Sequence, residues 1–275
     1  MSDWITLTPR GPLDGAIALS VHPERYAELA DHEIAALPAI GRGRERLPLG
    51  EMFTVNGGRS TRVRLEGATP HLHSVGAGML SGELVVDGDL GSYAGAGIRG
   101  GTLHVHGSVG DAAGLAMMGG ALRIDGDAGH RLGANSPGAA KGMSGGEIIV
   151  LGSAGEEAGA RLRRGLIVVS GDLSRDAGRA MIAGSIVVLG RCGENAGRGN
   201  KRGSIVACGG LTVPPTYRYA TTYQPPHVRL TLTYLRKQYG LAIDQALVEG
   251  PYRRYCGDAG EPGKGEILEL VVTTD

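Results

Sequence analysis

The motif Gly-x-aliphatic-x-aliphatic-x-Gly occurs seven times in this chain, opening at Gly82, Gly101, Gly120, Gly146, Gly165, Gly184 and Gly203. Five of the six spacings are 19 residues; the other is 26, because a seven-residue insertion sits around Asn135–Gly142. A fixed short period means stacked units, each too small to bury its own apolar face. The third position is Leu84, Leu103, Leu122, Ile148, Ile167, Ile186 and Ile205, and the fifth is Val86, Val105, Ile124, Val150, Val169, Val188 and Ala207. Two apolar residues two apart share one side of a strand. A second glycine recurs at Gly95, Gly114, Gly133, Gly159, Gly178 and Gly197, usually behind an alanine, as a corner residue would. The pattern predicts an all-β chain, a parallel β-helix of about seven 19-residue coils with small α/β flanking segments. With coils about 4.8 Å apart the column would be roughly 30–35 Å long. A calcium β-roll would need Asp at one phase in successive coils, but Asp87 and Asp125 are separated by His106 and followed by Leu151 and Ser170. A left-handed hexapeptide helix fails because 19 is not a multiple of six.

Outside the period, Ile5-Thr6-Leu7 reads as a strand and Pro23 to Leu37 as a short amphipathic helix. Leu49–Val55 reads as a strand leading into a first, irregular coil at Val63, Leu65 and Gly67. Beyond the prolines 214, 215, 225 and 226, a helix is expected from Val228 to Tyr239 and a last strand from Glu266 to Val272. The division expected is a capping segment over 1–57, the repeats over 58–213 and a C-terminal segment over 214–275 packing on them. The fourth and sixth positions must face outward. They are Val85/Asp87, His104/His106 and Arg123/Asp125 at first, then Ile149/Leu151, Val168/Ser170, Val187/Leu189 and Val206/Cys208. That later stripe is apolar and must be covered, by the C-terminal segment in the first instance or by another protein.

The 275 residues carry zero formal net charge, which gives no reason to expect nucleic acid or an anionic membrane as partner. No apolar run approaches a membrane span, the start Met1-Ser2-Asp3-Trp4 lacks secretory character, and Cys192, Cys208 and Cys256 have no CxxC spacing. A reduced, cytoplasmic setting is expected. The pairs His71/His73 and His104/His106 have the i, i+2 spacing that suits a metal, but no third ligand is visible along the chain, so they read as surface histidines. Asp87-Gly88-Asp89 and Asp125-Gly126-Asp127 read as polar turns. No Ser/His/Asp order, phosphate loop or dinucleotide fingerprint is present. Neither a catalytic residue nor a metal ligand is therefore assigned. The one cluster singled out is basic: Lys141, Arg161, Arg163, Arg164, Arg179, Arg198, Lys201 and Arg202 gather at coil ends, with Glu156, Glu157 and Glu194 nearby. It reads as a docking edge for an acidic partner or polyanionic ligand, or else as a subunit interface or solvated face.

The repeat with its later Ala-Gly resembles the GXGXG domain, a right-handed parallel β-helix also found at the end of glutamate synthase. The tail Tyr252-Arg253-Arg254-Tyr255-Cys256-Gly257-Asp258 and Gly263-Lys264-Gly265-Glu266-Ile267-Leu268, with Leu49–Val55, resembles the C-subunit family of formylmethanofuran dehydrogenase. In methanogens that subunit serves a tungsten or molybdenum iron–sulfur dehydrogenase. In methylotrophic bacteria a similar subunit sits in a formyltransferase/hydrolase complex, which moves a formyl group from formyl-tetrahydromethanopterin to a methanofuran-type carrier and releases formate. Only four of the 28 basic residues are Lys, a bias of high-GC bacterial genomes, and the bacterial complex is therefore preferred over the dehydrogenase and over a glutamate synthase domain. The resemblance implies a scaffold subunit without its own active site or cofactor. Its implied partners are amidohydrolase-like, formyltransferase and dehydrogenase-B-like subunits.

Overall fold

The computed structural model describes residues 3–43 and 45–271, so Met1, Ser2 and Val272 of the segments discussed above lie outside the described residues. The chain begins with β1 (Ile5–Pro9) and β2 (Ile17–Leu19), a 3-10 turn at Pro23–Arg25, and the short helix α1 (Asp31–Ala35). Next come β3 (Pro38–Arg42), β4 (Glu45–Pro48), a 3-10 turn at Leu49–Glu51, β5 (Phe53–Asn56), β6 (Arg62–Ala68) and β7 (Leu72–His73). The periodic segment supplies β8 (Glu83–Gly88), β9 (Thr102–Val105), β10 (Ala121–Ile124), β11 (Glu147–Val150), β12 (Leu166–Val169), β13 (Ser185–Val188) and β14 (Ser204–Ala207). The C-terminal part adds β15 (Arg218–Tyr223), α2 (Pro226–Tyr239), α3 (Gln245–Glu249), β16 (Tyr252–Gly257) and β17 (Gly265–Leu270).

These strands form a 13-stranded, mostly parallel sheet in the order β15-β16-β17-β14-β13-β12-β11-β10-β9-β8-β6-β1-β5, and a four-stranded sheet β4-β3-β2-β7. With three short helices beside them, this is an α/β-type layout, and it corrects the expected all-β right-handed parallel β-helix of seven coils. The periodic pattern covers only β8 to β14. The segments outside it extend the same sheet at both ends, with antiparallel strands at each rim, and contribute helices and a separate sheet. A local repeat holds no instruction about those segments.

Within the periodic part, equivalent residues are paired one to one: Leu84 with Leu103, Leu122 with Ile148, Ile167 with Ile186, Ile186 with Ile205. The insertion is absorbed between β10 and β11 without a slip in register. A second row of single parallel bridges runs Leu90–Val109–Ala128–Ala154–Leu173–Cys192–Leu211. Third- and fifth-position side chains are all fully buried, each Leu, Ile or Val contributing about 1.5–3 kcal/mol and Ala207 less. The motif's closing glycine is required by close approach: a Cβ on Gly152 would lie 2.3 Å from Asp127 Oδ1 and 2.7 Å from the Gly126 carbonyl oxygen.

The outward apolar stripe is covered by the chain itself. Ile149, Val168, Val187, Val206 and Cys208 form a second core with Val228, Leu232 and Leu235 of α2, with Leu241, Ile243 and Val248, and with Tyr252 and Leu268. Helix α2 matches the expected Val228–Tyr239 closely: Pro226 opens it, its apolar residues recur at helical spacing, and Gly240 closes it in the left-handed conformation (φ 66°). The helix expected over Pro23–Leu37 is instead a 3-10 turn followed by five-residue α1. Ala30 is extended and its N–H donates to the Glu33 carboxylate (2.8 Å), while the Leu29 carbonyl accepts from the Arg59 N–H (2.7 Å), so the backbone between is committed elsewhere. Leu49–Val55 is likewise split, with only Phe53 onward in strand. Among the described residues no helix is long and apolar enough to cross a membrane.

Candidate functional site

Polar side chains converge where β9 and β10 end. Parallel pairing sets His104 beside Arg123, and the next outward pair, His106 and Asp125, follows past the strand ends. His104 Nε2 lies 2.8 Å and His106 Nδ1 2.9 Å from the same oxygen, Asp125 Oδ2. Arg123 Nε donates to the other oxygen, Oδ1, at 2.8 Å, and its Nη1 donates to the Tyr239 carbonyl at the end of α2 (3.1 Å). His106 Nε2 is 3.8 Å from Asp87 Oδ1, and Asp87 in turn accepts from Arg64 (2.8 Å). Burial alone would raise the Asp125 pKa, but the hydrogen bonds from Arg123, His106 and His104 outweigh it and hold the carboxyl down at about 2. Burial lowers the His104 pKa, against the opposing pull of Asp125. Arg123 also lines a cavity of about 530 Å³ between the sheet face and the α2–α3 link, with Leu151, Ser170, Leu189, Tyr239 and Leu247.

The other histidine pair does not converge. His71 is exposed, whereas His73 Nδ1 accepts the backbone N–H of Ser92 at 2.9 Å. The two Asp-Gly-Asp turns divide their labour. Asp89 and Asp127 take part in a ladder in which each side-chain oxygen accepts the next repeat's N–H: Asp89 from Ser108 (2.7 Å), Ser108 from Asp127 (3.0 Å), Asp127 from Ser153 (2.7 Å), Ser153 from Asp172 (3.1 Å) and Asp172 from Arg191 (2.8 Å). These carboxylates satisfy backbone donors that the turns leave unpaired. Burial pushes the thiols of Cys192 and Cys208 up to about 12 and about 11, which leaves both as apolar packing groups.

The basic edge is partly assembled. The Arg161 N–H donates to the Arg179 carbonyl (2.8 Å) and the Ala180 N–H to the Arg198 carbonyl (2.7 Å), so Arg161, Arg179 and Arg198 lie along one line across adjacent repeats. Gly142 of the insertion donates to the Arg161 carbonyl (2.8 Å), which brings the Lys141 segment to the same line. Three of the cations are paired: Arg179 with Glu157 (3.0 Å), Arg198 with Asp176 (3.0 Å) and Lys201 with Glu261 (3.8 Å). Lys141, Arg163, Arg164 and Arg202 are exposed and form no salt bridge among the described residues. Glu156 pairs with Arg175 (3.1 Å) rather than with the edge. Asp176 and Glu261 as counter-charges, and Asp125 as the partner of the second histidine pair, were not foreseen from the sequence. The last was discoverable, since a shift of one period places Asp125 directly beside His106.

No protein-family model and no curated protein matches the chain. Among solved structures it is similar to a chain of the formyltransferase/hydrolase complex (FhcABCD) from Methylorubrum extorquens, determined by X-ray crystallography in complex with methylofuran. The two are 38% identical with a TM-score of 0.87, and the alignment covers 97% of this chain and 100% of that one. Likeness at that level over the whole of both molecules reaches beyond shared topology to shared descent. The chain belongs to the family of that formyltransferase/hydrolase-complex chain.

Proposed function

We propose that the chain is a structural, non-catalytic subunit of a cytoplasmic formyltransferase/hydrolase complex. The complex passes a formyl group from formyl-tetrahydromethanopterin to a methanofuran-type carrier and hydrolyses it to formate, a step of one-carbon metabolism in methylotrophy. The observation that carries this reading is the full-length likeness to a chain of such a complex, whose crystal structure holds methylofuran. The scaffold role draws support from how the polar side chains are used: the Asp and Ser ladder is committed to backbone N–H groups, and Cys192 and Cys208 are buried. Its partners are amidohydrolase-like, formyltransferase and dehydrogenase-B-like subunits. The chain binds no cofactor itself; the carrier and tetrahydromethanopterin belong to the complex. The basic edge fits a further role. Lys141, Arg163, Arg164 and Arg202 are exposed and without an acidic partner among the described residues, and Arg161, Arg179, Arg198 and Lys201 flank them, so a carboxylate-bearing carrier would be held near this side. Purification of the tagged chain from its own cells tests the main reading. Co-elution with formyltransferase-like and amidohydrolase-like proteins, with formyl transfer and hydrolysis in the same fractions, is expected; recovery of the chain alone would sink it.

A further inference from the structure

Two imidazoles and one carboxylate meet at the ends of β9 and β10, and one ligand atom from each of His104, His106 and Asp125 lies within 4.8 Å of the others. Both ring nitrogens are directed at a single oxygen, Asp125 Oδ2, at 2.8 and 2.9 Å. The rings stand at 58° to each other with centroids 4.1 Å apart, so they converge on that oxygen rather than stack. Arg123 takes the opposite oxygen and is itself anchored on the Tyr239 carbonyl, which fixes the face the carboxylate presents to the histidines. On the far side of His106, Asp87 stands 3.8 Å from Nε2, as carboxylates commonly stand behind ligating histidines.

We propose that His104, His106 and Asp125 form a binding site for a divalent transition ion of the zinc class, with Arg123 and Asp87 as positioning residues. Nε2 of His104, Nδ1 of His106 and Oδ2 of Asp125 are the ligand atoms. Zinc bonds of about 2.0–2.2 Å in tetrahedral geometry separate their ligand atoms by about 3.3–3.6 Å, so each ring nitrogen needs to draw back from Oδ2 by about half an ångström or a little more, and the two nitrogens already lie within 4.8 Å of each other. Two imidazoles and a carboxylate without a thiolate favour zinc, cobalt, nickel or copper over calcium and magnesium, which prefer all-oxygen shells. The fourth position faces solvent, since the His106 side chain is 44% exposed. The ion would tie two consecutive repeats together at the point where the outward face changes from polar to apolar. The guanidinium of Arg123 tempers the attraction, so binding in the micromolar range rather than a permanent metal is expected.

The test is a titration of the metal-stripped full-length chain with zinc chloride by calorimetry, with cobalt chloride as a visible-absorption probe. One ion per chain is expected, with d–d bands in the cobalt form and a rise in the thermal midpoint. His106→Ala and Asp125→Asn should each weaken zinc at least tenfold and abolish the cobalt bands, whereas His71→Ala should change neither. His106→Ala alters a half-exposed side chain and keeps the test decisive if Asp125→Asn does not fold, folding being checked by circular dichroism. Absence of zinc uptake at millimolar concentration, or uptake that His106→Ala leaves unchanged, overturns the proposal.

Discussion

The recurring glycine of the second corner makes a quantitative claim that two substitutions and one rescue can check. Gly159 has φ 67°, and a Cβ there would sit 2.6 Å from Ile186 Cδ1 and 3.4 Å from Ile167 Cδ1. Gly97 has nearly the same φ, 68°, but nothing lies within 4 Å of its added Cβ. One period further on from Gly97 the chain itself places Ala116 at φ 53°, and Arg161 and Ala180 hold the same phase at 55° and 54°. Gly97→Ala therefore costs backbone strain alone, about 1–2 kcal/mol. Gly159→Ala adds overpacking of about 1–3 kcal/mol, for a total of roughly 2–5 kcal/mol. Ile186→Val removes the Cδ1 in the way. Alone it should cost about 0.5–1.5 kcal/mol, yet in the Gly159→Ala background it should be neutral or stabilising, a coupling of about 1 kcal/mol or more. Urea denaturation followed by circular dichroism, with the midpoints compared at constant slope, reads all four values. If Gly159→Ala loses no more than Gly97→Ala, or if Ile186→Val recovers nothing, contact with the isoleucine ladder is not why this corner keeps its glycine.

Leu232→Ala, in the fully buried contact between α2 and the outward stripe, should cost about 2–5 kcal/mol by denaturation, whereas Leu230→Ala on the exposed side of the same helix should lie within about 0.5 kcal/mol of wild type. Asp258 is buried, and although burial alone would raise its pKa, hydrogen bonds from the Gly199 N–H (2.8 Å), the Gly260 N–H (2.9 Å) and Thr216 pull it below the ordinary carboxylate range. Its stabilisation is thus complete above the unfolded carboxylate value near pH 4 and fades as pH falls through the lower folded value; Asp258→Asn should remove that part of the acid-side slope in a plot of urea midpoint against pH, and an unaltered slope would count against it. Replacing Arg163, Arg164, Arg198 and Arg202 with Ser should slow coupled formyl transfer and hydrolysis at low salt while the complex stays assembled, and unchanged turnover there would remove the carrier-holding role.

The seven strands, their in-register pairing and the side each residue faces were legible in the sequence. The period puts Leu84 over Leu103 and Ile167 over Ile186, and parallel pairing of like with like needs no information from elsewhere. The need to cover Ile149, Val168, Val187 and Val206 was visible too, and α2 could be placed from its prolines and apolar spacing. The all-β assignment failed because it classed the chain by its repeats, whereas the flanking segments add helices, antiparallel strands and a separate four-stranded sheet. Only the tertiary structure decided that β1 lies between β6 and β5, that β17, β16 and β15 continue the sheet past β14, and that β4-β3-β2-β7 form a sheet of their own. Such pairings join residues tens of positions apart with no shared period, so no local pattern encodes them. At the polar cluster the division falls within the site: the period sets Asp125 beside His106, whereas the anchoring of Arg123 by the C-terminal segment lies outside it. His104 and His106 are neighbours in sequence, but the oxygen between them belongs to Asp125, and Arg123 is held against it by a carbonyl 116 positions away. Sequence determined what each repeat buries; only the stacking of repeats and the return of the C-terminal segment decided which polar groups meet.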